Sequence, residues 1–144
     1  MNEMTDVLRL ERQLCFPLYV CSKEMIRKYK PLLDELNLTY TQYITLLVLW
    51  EHPQMNVREL GERLYLDSGT LTPLLKKLEQ KGYITRNRLS SDERILNVQL
   101  TNEGILLKEQ ASTIPNQIGS CVSLSKEEQA QLYEILYKVL KGFQ

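Results

Sequence analysis

The stretch that decides the fold is Leu64–Gly82, which reads LYLDSGTLTPLLKKLEQKG. Asp67 or Ser68 is a suitable N-cap, and leucines follow it at helical spacing. Together they predict a helix that runs to Gln80. Gly82 stands just beyond it, at the position where helices commonly end.

A shorter helix precedes this one. Asn56 is a plausible N-cap for Val57–Leu64, so two short helices follow each other across a tight turn. The second helix also has an alternative start at Thr72, which puts Pro73 at the first helical position, where proline is tolerated.

A change of periodicity follows the second helix. Residues 83–88 and 95–100 contain period-2 alternation, and they flank a polar, charged segment at 89–94. This pattern predicts a β-hairpin with a charged tip. Two short helices followed by such a hairpin are the order of a mainly α, winged helix-turn-helix protein, in which the second helix enters the major groove of DNA.

Helical patterns occupy the rest of the chain. Pro17 is expected to kink or restart the first of these helices beside Cys15, because proline removes a backbone donor. The last helix starts with a capping box at Ser125. Helices are predicted over Leu8–Tyr29, Pro31–Leu36, Gln42–Glu51 with a cap at Thr39 or Thr41, Thr101 to about Thr113, and Ser125 to about Lys141.

The composition predicts one cytoplasmic domain spanning residues 1–144. The net charge is zero, but residues 68–91 hold five basic residues against Glu79 alone, a local charge of +4. Such a concentration suits a localised contact to phosphates. No run approaches the roughly 20 apolar residues that a membrane span needs, and the polar N-terminus does not look like a signal peptide.

The three cysteines and the lone His52 argue against a metal site, which for zinc needs about four such ligands. An odd number of cysteines also argues against a disulfide framework. We therefore expect no metal and no other cofactor, and the cysteines are either core residues or redox groups.

The predicted DNA contacts fall on the second helix and on the hairpin. Hydroxyls near the start of the helix can bond bases or phosphates, and an arginine at the hairpin tip can enter the minor groove, with Asp92 orienting Arg94. The set comprises Ser68, Thr70, Thr72, Lys76, Lys77, Arg86, Arg88, Asp92 and Arg94.

Residues 64–76, 78–82 and 92–94 together resemble the MarR family of bacterial regulators, most closely its organic-hydroperoxide sensor branch. The resemblance covers nearly the whole chain. It implies a homodimer whose N- and C-terminal helices, about 8–36 and 101–144, interlock beside a DNA-binding part at about 40–100. It also implies a double-stranded operator with two-fold symmetry, and no enzymatic activity.

A second cluster is suited to sensing. Peroxides react with thiolates, which nearby tyrosine hydroxyls can stabilise by hydrogen bonding. Tyr19 lies one turn after Cys15, whereas Tyr29 is about 21 Å further along a straight helix. In the family that residues 13–16 (QLCF) resemble, this cysteine is the one oxidised, and tyrosines at the positions of Tyr29 and Tyr40 bond it across the dimer.

The fate of oxidised Cys15 is left open by the sequence. Cys21 lies beyond disulfide reach of Cys15 in a continuous helix. Cys121 resembles, in its placement, the resolving cysteine of two-cysteine relatives, which implies a bond to Cys15 of the other subunit. Otherwise a low-molecular-weight thiol must cap Cys15.

Two other functions remain possible on sequence grounds. One is a repressor released by a phenolic or antibiotic ligand, with Cys15 merely structural. The other is a thiol peroxidase, although the chain lacks a thioredoxin-like βαβ pattern.

Overall fold

A computed structural model of the chain describes residues 3–144, and describes side chains from Met4 onward. It forms two compact units, one ending at Ile114 and the other spanning Pro115–Gln144. The elements are α1 (Glu3–Asp6), a 3-10 turn (Leu10–Arg12), α2 (Cys15–Asp34), α3 (Tyr40–Glu51), β1 (Gln54–Asn56), α4 (Val57–Leu64), α5 (Ser68–Gln80), β2 (Ile84–Leu89), β3 (Asp92–Leu100), α6 (Asn102–Ala111), α7 (Ile114–Gly119) and α8 (Lys126–Lys141).

The N-terminal caps of α4 and α5 are those predicted. Asn56 Oδ1 accepts a hydrogen bond from the Glu59 N–H at 2.8 Å, and Asp67 Oδ1 accepts one from the Thr70 N–H at 2.8 Å. The helices therefore have their predicted bounds, and the alternative start at Thr72 is wrong. Pro73 lies inside α5 instead.

The turn between α4 and α5 depends on a close backbone approach. Tyr65 adopts the left-handed conformation, with φ of 56°, and the Leu66 N–H donates to the Gly61 carbonyl at 3.0 Å. A Cβ on Gly61 would lie 2.9 Å from the Leu66 carbonyl oxygen. Glycine at 61 is thus what allows the chain to turn directly from one helix into the next.

The predicted hairpin is present and belongs to a three-stranded antiparallel sheet of order β1-β3-β2. Its turn is Ser90–Ser91, and β3 begins earlier than predicted, at Asp92. Strand β1 was not predicted. It is three residues long, with Met55 opposite Val98, and so short a strand carries no usable periodicity.

The N-terminal helices differ from the prediction. Helix α2 begins at Cys15, so the predicted continuous helix from Leu8 is wrong, whereas the restart beside Cys15 is confirmed. Pro17 lies in the first turn of α2, where no intrahelical N–H bond is made. Pro31 does not start a separate helix, because α2 continues through it to Asp34.

The core of the first unit packs α3, α4 and α5 against the sheet. Thr39 and Gln42 form a capping box, so α3 begins at Tyr40 rather than at Gln42. Trp50 Nε1 donates to the Gly104 carbonyl oxygen at 2.8 Å, which ties α3 to α6. The almost completely buried apolar side chains are Leu33, Leu46, Leu49, Leu60, Leu71, Leu75, Leu78, Ile84 and Val98.

The C-terminal helices are close to their predicted positions. Thr101 caps α6, which ends at Ala111, and the Ser125 capping box starts α8 as predicted. Helix α7 was not predicted. No residue of α8 is buried, and its apolar side chains, Ile135 among them, are exposed. Among the described residues, no helix is long and apolar enough to span a membrane.

Candidate nucleic-acid interface and thiol site

Helix α5 presents a polar face to solvent. Its buried face is formed by four leucines, Leu71, Leu74, Leu75 and Leu78. The predicted contacts on the opposite side are all exposed, namely Ser68, Thr70, Thr72, Lys76 and Lys77. The helix therefore packs by one face and leaves hydroxyl and ammonium groups available on the other.

The hairpin, hereafter the wing, carries an exposed arginine held by a carboxylate. Asp92 Oδ1 accepts hydrogen bonds from the Arg94 backbone N–H at 3.0 Å and from Arg94 Nε at 3.1 Å, and Oδ2 accepts from Nη2 at 3.2 Å. The Arg94 side chain is 90% exposed. These bonds lower the pKa of Asp92, so the pair stays charged and the guanidinium keeps one orientation.

The other two wing arginines differ from each other. Arg88 is exposed, and its Nη1 lies 3.5 Å from the Arg94 carbonyl oxygen. The Arg86 side chain is only 19% exposed and pairs with Glu79 at 3.2 Å. Arg86 therefore bonds within the protein, which sequence reasoning did not anticipate.

Lys81 also forms its hydrogen bonds within the protein. Its Nζ donates to the Asn37 carbonyl oxygen and, at 2.9 Å, to Gln42 Oε1. Burial, with a smaller contribution from Lys77, lowers the pKa of Lys81. The basic segment recognised in the sequence thus divides into exposed cations and cations that tie α5 to its neighbours.

Cys15 is the first residue of α2 and is exposed. Leu14 precedes it without a side-chain cap, and the Phe16 N–H donates instead to the Gln13 carbonyl oxygen at 3.4 Å. No hydrogen-bond partner for Cys15 Sγ occurs within residues 3–144. Tyr19, one turn later, is 62% exposed, and Lys23 Nζ lies 5.7 Å from the centre of its ring.

The structure brings Tyr29 and Tyr40 together and adds Tyr43. The ring centroids are 5.0 Å apart for Tyr29 and Tyr40, 5.7 Å for Tyr29 and Tyr43, and 6.3 Å for Tyr40 and Tyr43. Sequence reasoning missed Tyr43, although its position three residues after Tyr40 places both on neighbouring turns of α3.

Burial is the main cause of the raised pKa of all three phenols. It raises the pKa of Tyr29 to about 12, with further contributions from Tyr40 and Tyr43. The pKa of Tyr40 and that of Tyr43 are raised for the same reason. The three hydroxyls therefore stay protonated, and able to donate hydrogen bonds, well above neutral pH.

The other two cysteines are free and exposed. Cys21 lies within α2, in the first unit. Cys121 follows α7 in the second unit, and its Sγ lies 3.5 Å from the Gln117 carbonyl oxygen. No cluster of three or more potential metal ligands occurs among the described residues.

A helix-turn-helix with an exposed polar second helix, followed by an arginine-tipped wing, defines a winged-helix transcriptional regulator. The match to known proteins agrees with this class. The family model "Transcriptional regulator SarA/Rot" matches residues 27–111.

Individual relatives identify the branch of regulators to which the chain belongs. The organic hydroperoxide resistance transcriptional regulator of Bacillus subtilis is 52% identical over 98% of this chain and 96% of its own. The HTH-type transcriptional regulator SarZ of Staphylococcus saprophyticus is 51% identical over 94% and 93%. The chain belongs to the MarR-type regulators, in the organic hydroperoxide resistance branch.

Solved structures of the staphylococcal protein AbfR show the same fold. Reduced AbfR bound to DNA is 36% identical, with a TM-score of 0.79 and complete coverage of both chains. A disulfide form of AbfR is 36% identical, with a TM-score of 0.68 and coverage of 97% and 96%.

Proposed function

We propose that the protein is a homodimeric, DNA-binding repressor that senses organic hydroperoxides by oxidation of Cys15 and then releases its operator. The observation that carries the proposal is an exposed thiol at the first residue of α2, in a chain whose recognition helix also presents an exposed polar face. The relationship to a hydroperoxide resistance regulator supports it.

DNA binding would use the exposed face of α5 and the wing. The Ser68, Thr70 and Thr72 hydroxyls would contact base edges or phosphates in the major groove, and Lys76 and Lys77 would contact phosphates. Arg88 and the Asp92-oriented Arg94 would bind along the minor groove. Reduced AbfR binds DNA with the same fold. Such a regulator acts in the cytoplasm.

Dimerisation is supported by the apolar surface that one chain leaves uncovered. Helix α8 has no buried residue, while Leu132, Ile135 and Val139 are each more than two-fifths exposed at helical spacing. The stretch before α2 shows the same property, with Leu14 at 84% exposure. A second copy is the natural cover for such faces, and it also matches an operator with two-fold symmetry.

The sensing step begins with the thiolate of Cys15. The thiolate, rather than the thiol, is the nucleophilic form of cysteine. The thiolate attacks the peroxide O–O bond, which breaks to give the sulfenic acid and an alcohol, and the sulfur loses two electrons to the peroxide. Tyr19 lies on the same helix as Cys15. The hydroxyls of Tyr29 and Tyr40 in the second copy would donate hydrogen bonds to the Cys15 sulfur.

A thiol then condenses with the sulfenic acid, forming a disulfide and releasing water. Cys121 of the second copy is our candidate, and a low-molecular-weight thiol is the alternative. Disulfide and overoxidised forms are both known for AbfR. A disulfide to the partner would constrain both recognition helices, which explains how it would reduce operator affinity.

Operator binding before and after treatment with an organic hydroperoxide tests the proposal. The wild-type protein should bind when reduced and release after treatment, whereas Cys15→Ser should bind and remain bound. Cys21→Ser is the matched control on the same helix and should respond like wild type. Normal release by Cys15→Ser would refute the sensor assignment.

Non-reducing electrophoresis of the treated protein tests the resolving step. A covalent dimer should form with wild type and disappear with Cys121→Ser. A monomer that gains the mass of an added small thiol would show that Cys121 is not the resolving residue.

The phenolic-ligand alternative has a candidate cavity, but its chemistry is unfavourable. A cavity of about 440 Å³ in the first unit has a mixed polar and apolar lining that includes two carboxylates and no basic residue, namely Glu35, Leu36, Asn37, Tyr83, Glu103, Leu106, Leu107 and Gln110. Two carboxylates would repel a phenolic acid. Release by a phenolic ligand in the Cys15→Ser variant would favour that alternative, and catalytic peroxide turnover would favour a peroxidase.

A further inference from the structure

A carboxylate at the end of the recognition helix holds the wing. Glu79 lies in the last turn of α5, and its Oε2 accepts a hydrogen bond from the Arg86 backbone N–H at 3.1 Å. Its Oε1 accepts a second bond from Arg86 Nη2 at 3.2 Å. One side chain of α5 therefore binds both the backbone and the guanidinium of a single residue of β2.

The backbone bond falls at a free edge of the sheet. In the order β1-β3-β2, strand β2 is an edge strand, and the Arg86 N–H points away from β3. An edge N–H is otherwise left to water or to another strand. Here Glu79 takes the place of the missing strand, and in doing so joins the sheet to α5.

The guanidinium is also withdrawn from solvent. The Arg86 side chain is 19% exposed, whereas that of Arg94 is 90% exposed. Arg86 Nε is buried and has no hydrogen-bond partner in the described part of the chain. The group therefore lies within the junction of α5 and β2, and reaching a phosphate would require breaking its ion pair with Glu79.

We infer that Glu79 is a positioning residue for DNA recognition: through its two bonds to Arg86 it fixes the wing relative to α5, and Arg86 serves this contact rather than a DNA phosphate. The inference rests on the proposed DNA-binding function. Simultaneous contact of α5 with the major groove and of Arg94 with the minor groove requires a fixed angle between helix and wing. Backbone hydrogen bonds at the Gly82 turn, such as that from the Tyr83 N–H to the Leu78 carbonyl oxygen, begin to set that angle, and the Glu79–Arg86 pair fixes it further along β2.

The direction in which one mutation changes operator affinity separates a positioning role for Glu79 from simple electrostatic repulsion. Removing a negative charge close to DNA ordinarily strengthens binding, because fewer phosphates are repelled. We expect Glu79→Ala instead to weaken operator binding about tenfold, in the range for coupled contacts. Glu79→Gln keeps one of the two acceptor oxygens and should recover only part of the affinity. Glu93→Ala, the matched loss of an exposed carboxylate on the wing, should leave affinity unchanged or raise it.

Salt dependence tests the role of Arg86 directly. Loss of one phosphate contact lowers the slope of log affinity against log salt by about 0.9. Arg86→Gln should lower affinity without changing the slope, whereas Lys76→Gln, which removes a proposed phosphate contact, should reduce the slope. An equal slope reduction in both variants, or tighter binding by Glu79→Ala, would overturn the inference.

A measurement without DNA separates the positioning role of Glu79 from the proposed DNA-binding function. Amide hydrogen exchange at Arg86 should be faster in Glu79→Ala than in wild type, while exchange in α4 stays unchanged. Unchanged exchange at Arg86 would overturn the positioning role whatever the DNA result. Failure of the wild-type protein to bind any operator, with faster exchange at Arg86 in the variant, would refute only the proposed DNA-binding function.

Discussion

Helices α5 and α2 begin in opposite ways. Asp67 caps α5 in extended conformation and accepts a hydrogen bond from the Thr70 N–H. Leu14, before α2, is already in helical conformation, and it offers no side-chain acceptor. The start of the recognition helix is therefore closed by a side chain, whereas the start of the helix that carries Cys15 has no side-chain cap.

The difference follows the proposed roles of the two helices. A DNA-reading surface must be rigid before it meets its operator, since every group ordered on binding costs affinity. A reactive thiol must instead remain accessible to the peroxide. In the proposed function one chain completes the reading surface, whereas a second copy would complete the sensing site.

The largest effect is expected from disrupting the proposed dimer contact through α8. Ile135→Asp on α8 should dissociate the dimer and abolish tight binding to a two-fold operator. Burying an isoleucine contributes about 1.5–3 kcal/mol, and a symmetric interface counts the change twice, giving about 3–6 kcal/mol. Sedimentation measures the dissociation. Lys141→Asp, on the opposite side of α8, should remain dimeric, and a dimeric Ile135→Asp would show that α8 is not the interface.

The next effect concerns close packing at the start of α6, behind the reading surface. A Cβ on Gly104 would overlap the Tyr83 carbonyl oxygen and lie 2.9 Å from Leu100 Cδ2. Gly104→Ala should therefore lower the free energy of unfolding by about 2–4 kcal/mol, because backbone must shift. Gly119→Ala is a suitable control, since nothing lies within 4 Å of its added Cβ. Denaturant unfolding of both variants decides the matter, and equal stabilities would contradict the packing argument.

A smaller effect is expected at the wing tip. Arg94→Ala should weaken operator binding by about 1–3 kcal/mol, the range for a specific basic contact. Arg94→Lys keeps the charge but loses the forked contact to Asp92, so part of the loss should remain. Fluorescence anisotropy at fixed salt measures both. Unchanged affinity in Arg94→Ala, with the fold intact, would remove the wing tip from the interface.

The smallest effect is a shift in alkaline titration. The folded pKa of Tyr29, about 12, lies above its ordinary value of 10.0, so the folded state disfavours the phenolate. The associated stability is present below pH 10 and declines as pH rises toward 12. Ultraviolet titration of Tyr29→Phe should lack the latest ionisation step. Its persistence in that variant would assign the step to another tyrosine.

Local signals explain how much of the fold the sequence predicted. Asn56, Asp67 and Ser125 were recognised as caps, because an N-cap acts within three residues. The wing was recognised by its alternation. Strand β1 and helix α7 were missed, since three and six residues are too short for a period to show.

Proline was the least informative signal. Pro17 and Pro31 were both read as helix boundaries, yet only Pro17 lies at one. A proline inside a helix costs one hydrogen bond, and the buried Leu33 shows that packing of the following turn against the first unit offsets this cost. Whether a proline ends a helix is therefore decided by what the next turn packs against.

By itself, the sequence determined the order of elements, the polar face of α5, the Asp92–Arg94 pair and the candidate thiol, because each depends on residues close together in the chain. Only the tertiary structure decided that Arg86 and Lys81 bond within the protein, and that Tyr43 joins Tyr29 and Tyr40. Those contacts join different elements, and whether a charged or phenolic group meets a partner depends on how the elements pack.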